Sequence, residues 1–271
     1  MTIDNNLPEK LNQSEDINDE KITNKKVPYI SQNKKKNLSD EQLNEFYNEI
    51  REFYLNIPFD NRQAYKEEAN YLKLSRILRL LPEFKKATVL NQERLPKGNG
   101  YIFVSNHIGP YDQFYALKAL SEIPLHFLIK EKVTTWPIRY NLIYKPTGVV
   151  VINPESIKSW KEAKKKLIQY VLHGRNIYIY PEGTRRGEEN LGDFGWGVAE
   201  IALETQTKVV TLATKNVASI FSKNPIINIG KSMIADKRED IRIITKKLQS
   251  HVEDAYNEIL EYEGKQKILT R

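Results

Sequence analysis

The chain has 271 residues, 40% of them hydrophobic, and its 42 Lys and Arg against 35 Asp and Glu leave a formal charge of +7. It contains no cysteine, which excludes a disulfide framework, a thiolate metal site and a cysteine nucleophile, and no run approaches the ~18 consecutive apolar residues of a membrane span. Residues 1–40 balance seven acids with seven lysines, so the excess positive charge falls on residues 41–271, a body suited to nucleic acid, anionic lipid, an acidic carrier protein or a phosphorylated small molecule.

Residues 1–38 are rich in Asn, Lys, Asp and Glu and poor in large apolar side chains, which predicts a disordered polar arm. Met1-Thr2-Ile3-Asp4 lacks a basic region followed by an apolar one, so no secretory signal is expected and a cytoplasmic location fits. Ser39-Asp40-Glu41-Gln42 is a capping-box pattern. Behind it Leu43, Phe46, Tyr47, Ile50, Phe53, Tyr54 and Ile57 recur at three- and four-residue steps until Pro58. This predicts one amphipathic helix whose stripe docks on the body, on a partner or on a membrane. A second helix over 62–81 places Leu74, Ile77, Leu78 and Leu81 on one side and Lys66, Lys73, Arg76 and Arg79 roughly opposite. That pattern serves a packed helix with a solvated basic face, or a helix lying on an anionic bilayer. Residues 39–86 thus form an amphipathic helical region and a candidate membrane contact.

From residue 87 the pattern alternates. Strands are expected at 87–90, 101–105, 125–129, 148–152, 176–180, 208–214 and 226–229, and helices at 111–120, 155–172, 191–205 and 236–262. The sum is an α/β domain over 87–271, whose ligands should gather at the carboxyl ends of strands.

Two stretches lie at such ends. In Ser105-Asn106-His107-Ile108-Gly109-Pro110-Tyr111-Asp112 an imidazole and a carboxylate stand five positions apart, a spacing that cannot cooperate on an unbroken helix. A strand-to-helix corner resolves it: Pro110 and Asp112 suit the first helical turn, and Asp112 folds back onto one nitrogen of His107, leaving the other free to take a proton. A lone histidine at a strand end is commonly structural, so a second constellation matters. In Tyr180-Pro181-Glu182-Gly183-Thr184-Arg185-Arg186 the proline stops a strand, and a carboxylate, a flexible glycine, a hydroxyl and two guanidinium groups follow on one loop. Taken alone, that loop is an ordinary charged turn.

Asn106 to Asp112 and Tyr180 to Arg185 resemble the paired signatures NHxxxxD and FPEGTR of the glycerolipid acyltransferases related to 1-acylglycerol-3-phosphate acyltransferase. The resemblance covers roughly residues 88–234, and Phe194 and Gly197 echo a Phe-Lys-x-Gly, with Gly195 in place of the Lys. It implies an acyltransferase-like α/β fold, a mixed β-sheet flanked by helices. It also implies O-acyl transfer from a thioester, on coenzyme A or acyl carrier protein, to a hydroxyl of a lysophospholipid such as lysophosphatidate, with no bound cofactor or metal. By that analogy His107 is the general base, Asp112 orients it, and Glu182, Gly183, Thr184 and Arg185 hold the acceptor. The expected partners are the acyl thioester, the acceptor, acyl carrier protein and an anionic membrane surface, with peripheral attachment and no nucleic acid.

Two departures bear on the acceptor. The family's block ending in Ile-Asp-Arg reads Ile152-Asn153-Pro154 here, and a proline cannot grip a phosphate. Either Arg185 with Lys145 or Lys158 takes over, or the acceptor has no phosphate there; a second reading keeps the chemistry and takes glycerol 3-phosphate or a non-phosphorylated hydroxy lipid as acceptor. A fourth block reads Val209-Val210-Thr211 without its usual proline. A reading of another class is a non-catalytic lipid-binding protein on the same fold.

Overall fold

The computed structural model describes residues 27–269 except 83–85, 121, 188–190 and 220. Most of the arm expected to be disordered, residues 1–26, lies outside the described residues. Residues 27–38 depart from that expectation. They hold a short helix α1 (Gln32–Lys36), fixed where the buried Lys35 ammonium donates to the Tyr47 hydroxyl at 2.6 Å.

Helix α2 (Asp40–Leu55) starts at a capping box, with the Ser39 hydroxyl accepting from Gln42 N–H and the Gln42 side chain accepting from Ser39 N–H. Leu43, Tyr47, Ile50 and Tyr54 form its buried line, and α2 packs on α5 (Ile157–Leu172) and α6 (Gly197–Thr205). Tyr54 adds a hydroxyl bond of 2.9 Å to the Glu204 carboxylate. Helix α3 (Asn61–Leu78) turns a different side inward from the one the leucine pattern suggests. Its buried line is Ala64, Glu67, Tyr71 and Ser75, while Ile77 is 62% exposed. The cause is a polar network: Glu67 is buried because Gln63 and the Tyr170 hydroxyl donate to its two oxygens.

Seven strands form one sheet in the order β1-β7-β6-β2-β5-β3-β4. They are β1 (Thr88–Leu90), β2 (Ile102–Ser105), β3 (Leu125–Lys130), β4 (Val150–Ile152), β5 (Asn176–Ile179), β6 (Val209–Lys215) and β7 (Ile226–Met233). All neighbours are parallel except β6 and β7, so the sheet is mixed. Alternate residues face opposite layers. Ile102, Val104, Ile177 and Ile179 join the core under α2, α5 and α6, whereas Phe103, Tyr178, Val210 and Leu212 join the core with Tyr71 and α4 (Asp112–Ala119).

Two helices begin later than the periodicity predicts. Residues 191–196 form a loop before α6, because Gly195 N–H is bonded to Pro181 C=O at 2.8 Å and Gly192 N–H to Glu182. The C-terminal helix α7 (Ile241–Leu269) begins after Asp240, which accepts from Arg242 N–H. Between β3 and β4 no long helix intervenes. The chain instead makes four short helical turns, Glu131–Thr135, Pro137–Arg139, Tyr140–Tyr144 and Lys145–Thr147. Among the described residues no helix is long and apolar enough to cross a membrane.

Candidate active site

Strands β2 and β5 are adjacent and in parallel register, Val104 opposite Ile179, so the loops leaving their carboxyl ends emerge side by side. The first loop turns sharply into α4. Gly109 is required at the corner, because a Cβ there would lie 2.9 Å from the Ala218 backbone. Asn106 anchors the other side: it is buried, donates to Thr214 C=O at 2.9 Å and accepts from Thr214 N–H at 2.8 Å. The corner is thereby tied to β6 before His107 begins.

The fold brings His107 and Asp112 together. His107 Nδ1 stands 2.5 Å from Asp112 Oδ2, and that same oxygen accepts from Ile108 N–H at 3.0 Å and Gly109 N–H at 3.3 Å. Oδ1 accepts from Gln113 N–H at 2.7 Å. The carboxylate, 1% exposed at the first turn of α4, is held by donors on both oxygens. A carboxylate at Nδ1 fixes the proton there, which leaves Nε2 as the nitrogen with an open lone pair. Tyr180 stacks on the imidazole at 4.1 Å between centroids and 17° between planes. Burial, and then the Asp112 charge, push the Tyr180 hydroxyl well up from its ordinary pKa, so it stays neutral.

The second loop is joined to the first through the main chain. Glu182, 8% exposed, accepts from His107 N–H at 2.9 Å and from Gly192 N–H at 3.1 Å, while Arg186 N–H donates to His107 C=O at 2.9 Å. Burial raises the Glu182 pKa, with those amides pulling the other way. Its carboxylate is therefore occupied by the backbone. Gly183 makes the tight turn at φ +63°. Thr184 and Arg185 are exposed, and Arg185 has no ion-pair partner among the described residues.

Five of the six candidate residues line one cavity of about 550 Å³, and the sixth, Asp112, stands behind His107. Its walls are largely apolar, with Phe127, Ile129, Val133, Ile152, Trp160, Ile179 and Val198. Gly197 is needed beside it, since a Cβ would meet the Trp160 ring at 2.5 Å. Pro154 sits in the cavity wall, at the position of the arginine in the Ile-Asp-Arg block. Lys145 and Lys158 do not line the cavity, and Lys158 pairs with Glu162 at 4.0 Å. The lining cation that sequence reasoning missed is Lys130, at the carboxyl end of β3. Its place at a strand end was the available signal.

Residues 86–215 match the model of the Acyltransferase family. A 1-acyl-sn-glycerol-3-phosphate acyltransferase of Borreliella burgdorferi is 32% identical over 148 residues, 55% of this chain and 58% of that protein. A probable 1-acyl-sn-glycerol-3-phosphate acyltransferase of Mycoplasma pneumoniae is 26% identical over 157 residues, again 55% and 58%. A lyso-ornithine lipid O-acyltransferase of Pseudomonas aeruginosa is 33% identical over 112 residues, 41% of this chain and 42% of that protein. The chain thus matches 58% of the length of the first two relatives. The crystal structure of the 1-acyl-sn-glycerophosphate acyltransferase PlsC from Thermotoga maritima aligns with a TM-score of 0.47 at 18% identity, over 82% of this chain and 85% of that one.

Proposed function

Because residues 86–215 match the model of the Acyltransferase family, we propose that the chain moves a fatty acyl group from an acyl thioester to a hydroxyl of a lysophospholipid such as lysophosphatidate. The observation that carries this reading is the His107 and Asp112 pair, 2.5 Å apart at the wall of an apolar cavity that also takes in Thr184 and Arg185.

In the reaction, His107 Nε2 accepts the proton of the acceptor hydroxyl while its oxygen attacks the thioester carbonyl carbon. The C–O bond forms and the carbonyl oxygen takes up negative charge. Collapse of the tetrahedral adduct breaks the C–S bond, and the thiolate leaves with the proton carried by the imidazolium. Asp112 balances that transient charge. A thioester is already an activated electrophile, so a positioned base and polar donors for the oxyanion are sufficient. Arg185 and Lys130 offer two cations to the head group, and the apolar wall offers a place for the acyl chain.

The donor is an acyl-coenzyme A or an acyl carrier protein, both acidic and both suited to a body of net positive charge. The lipid acceptor places the protein at an anionic membrane surface, attached peripherally from the cytoplasmic side. A non-phosphorylated hydroxy lipid as acceptor is favoured by Pro154 in the cavity wall, and the relative named for lyso-ornithine lipid is consistent with it; glycerol 3-phosphate is a further alternative acceptor.

The test is acyl transfer by the purified protein with acyl-coenzyme A and acyl carrier protein donors against lysophosphatidate, other lysolipids and glycerol 3-phosphate. His107→Ala should lower turnover by about 10²- to 10⁴-fold with the fold intact. A folded and fully active variant would overturn the assignment.

A further inference from the structure

We propose that residues 131–147, the chain of short turns between β3 and β4, form a fixed apolar lip that enters an anionic bilayer beside the mouth of the reaction cavity. Single exposed apolar side chains are ordinary on a protein surface, but clusters mark contact sites. Here Trp136 is 61% exposed, Ile138 77%, Leu142 74% and Ile143 38%, within eight residues. With Pro137 they enclose a shallow recess lined by no polar residue.

The lip is held in place. Thr147 Oγ1 donates to Tyr144 C=O at 2.8 Å, and the Asn70 amide of α3 donates to Pro146 C=O at 3.1 Å. It is also part of the cavity. Val133 and Tyr144 line the wall that His107 shares, and the Tyr144 hydroxyl accepts from Gln113, the residue after Asp112. A lipid leaving a bilayer along this lip would pass directly into that cavity.

Charge selects the occupant. Lys130, Lys132, Arg139 and Lys145 stand against one acid, Glu131, over residues 130–147. Apolar side chains flanked by lysines suit an acyl boundary beneath anionic head groups, and suit a neutral surface less well. This assignment differs from the one based on the stripe of α3, whose leucines are only partly available, although Ile77 and Leu80 near its end are exposed. The proposal rests on the acyl-transfer reading only for why the cavity opens here, and bilayer binding is measured without catalysis.

The experiment is co-sedimentation of the full chain with vesicles of phosphatidylcholine, with and without phosphatidylglycerol. The wild type should partition to the anionic vesicles, less so as salt rises. Ile138→Asp with Leu142→Asp should weaken that partition about tenfold or more at an unchanged unfolding midpoint, both side chains being exposed. Tyr29→Asp, at an exposed site outside the lip, should bind as the wild type does. Wild-type binding by the double variant overturns the proposal. So does a wild type that ignores anionic vesicles, which would turn the lip towards a protein partner. Absence of acyl transfer to a water-soluble short-chain acceptor would sink the reaction assigned to the site and leave the vesicle result standing.

Discussion

The Glu182 carboxylate accepts the backbone N–H of His107 at 2.9 Å, so the second loop holds the first at the proposed base. Its other oxygen is taken by Gly192 N–H. Glu182 lines the cavity, and its two bonds also make it a brace between the loops that follow β2 and β5. Glu182→Gln keeps one acceptor oxygen and loses the other, leaving a buried N–H without a partner. We expect a stability loss of about 1–3 kcal/mol and a lower kcat, with little change in the acceptor KM. A raised KM with unchanged stability would put the side chain on the substrate instead.

Asp112→Asn preserves the shape of the corner, its carbonyl oxygen kept towards His107 Nδ1 and the Ile108 and Gly109 N–H groups, but removes the negative charge that would balance an imidazolium at His107. Turnover should fall by about 10²- to 10⁴-fold while binding of the thioester is retained. Equilibrium binding of a non-transferable thioether analogue would separate the two effects.

Arg185 and Lys130 reach the cavity from different strand ends, and each is open to an anion. Arg185→Ala and Lys130→Ala should each raise the KM of a phosphorylated acceptor by about tenfold to a hundredfold, the ~1.5–3 kcal/mol of a charge-assisted bond, and leave a neutral hydroxy lipid nearly unaffected. Equal losses on both acceptors would argue against contact with a phosphate.

A pH effect on stability follows from a group remote from the chemistry. His126 is 1% exposed, stacked on Tyr170 at 3.8 Å and bonded to Gly148 C=O. Burial lowers its pKa from 6.5 to about 4, with the Gly148 bond and the Glu67 charge opposing, and Lys166 and Arg175 reinforcing the shift. The unfolded chain therefore binds this proton more readily than the folded one. The contribution is full above about pH 6.5 and is lost as pH falls towards 4, a total on the order of 3 kcal/mol. Urea unfolding at about pH 7 and pH 4.5 should show this loss, and His126→Gln should flatten part of it.

The seven strands were legible because each is a short apolar run bounded by a polar or glycine-containing turn, and the nearness of the two candidate loops because both follow such runs directly. What escaped reading was long-range. Glu182 looks like an exposed acid in a charged loop, since its amide partners are 75 and 10 positions away. Asn106 has its partner 108 positions away on β6. In α3 the inward positions include Glu67 and Ser75, so the buried face does not coincide with the leucines that set the visible period. The turns between β3 and β4 carry no sustained period at all, and Lys130 is one lysine among many until β3 sets it at the cavity.

The Tyr180 ring has a consequence for stereochemistry. With one face of the imidazole covered at 4.1 Å and Nδ1 tethered to Asp112, the ring cannot swing about its side-chain bond without losing both contacts. A hydroxyl must come in edge-on, along the Nε2 lone pair. In the proposed reaction, a glycerol backbone with two hydroxyls would be acylated at the one whose carbon can be brought to that line, so that regiochemistry would follow the direction of approach as much as the affinity of the pocket.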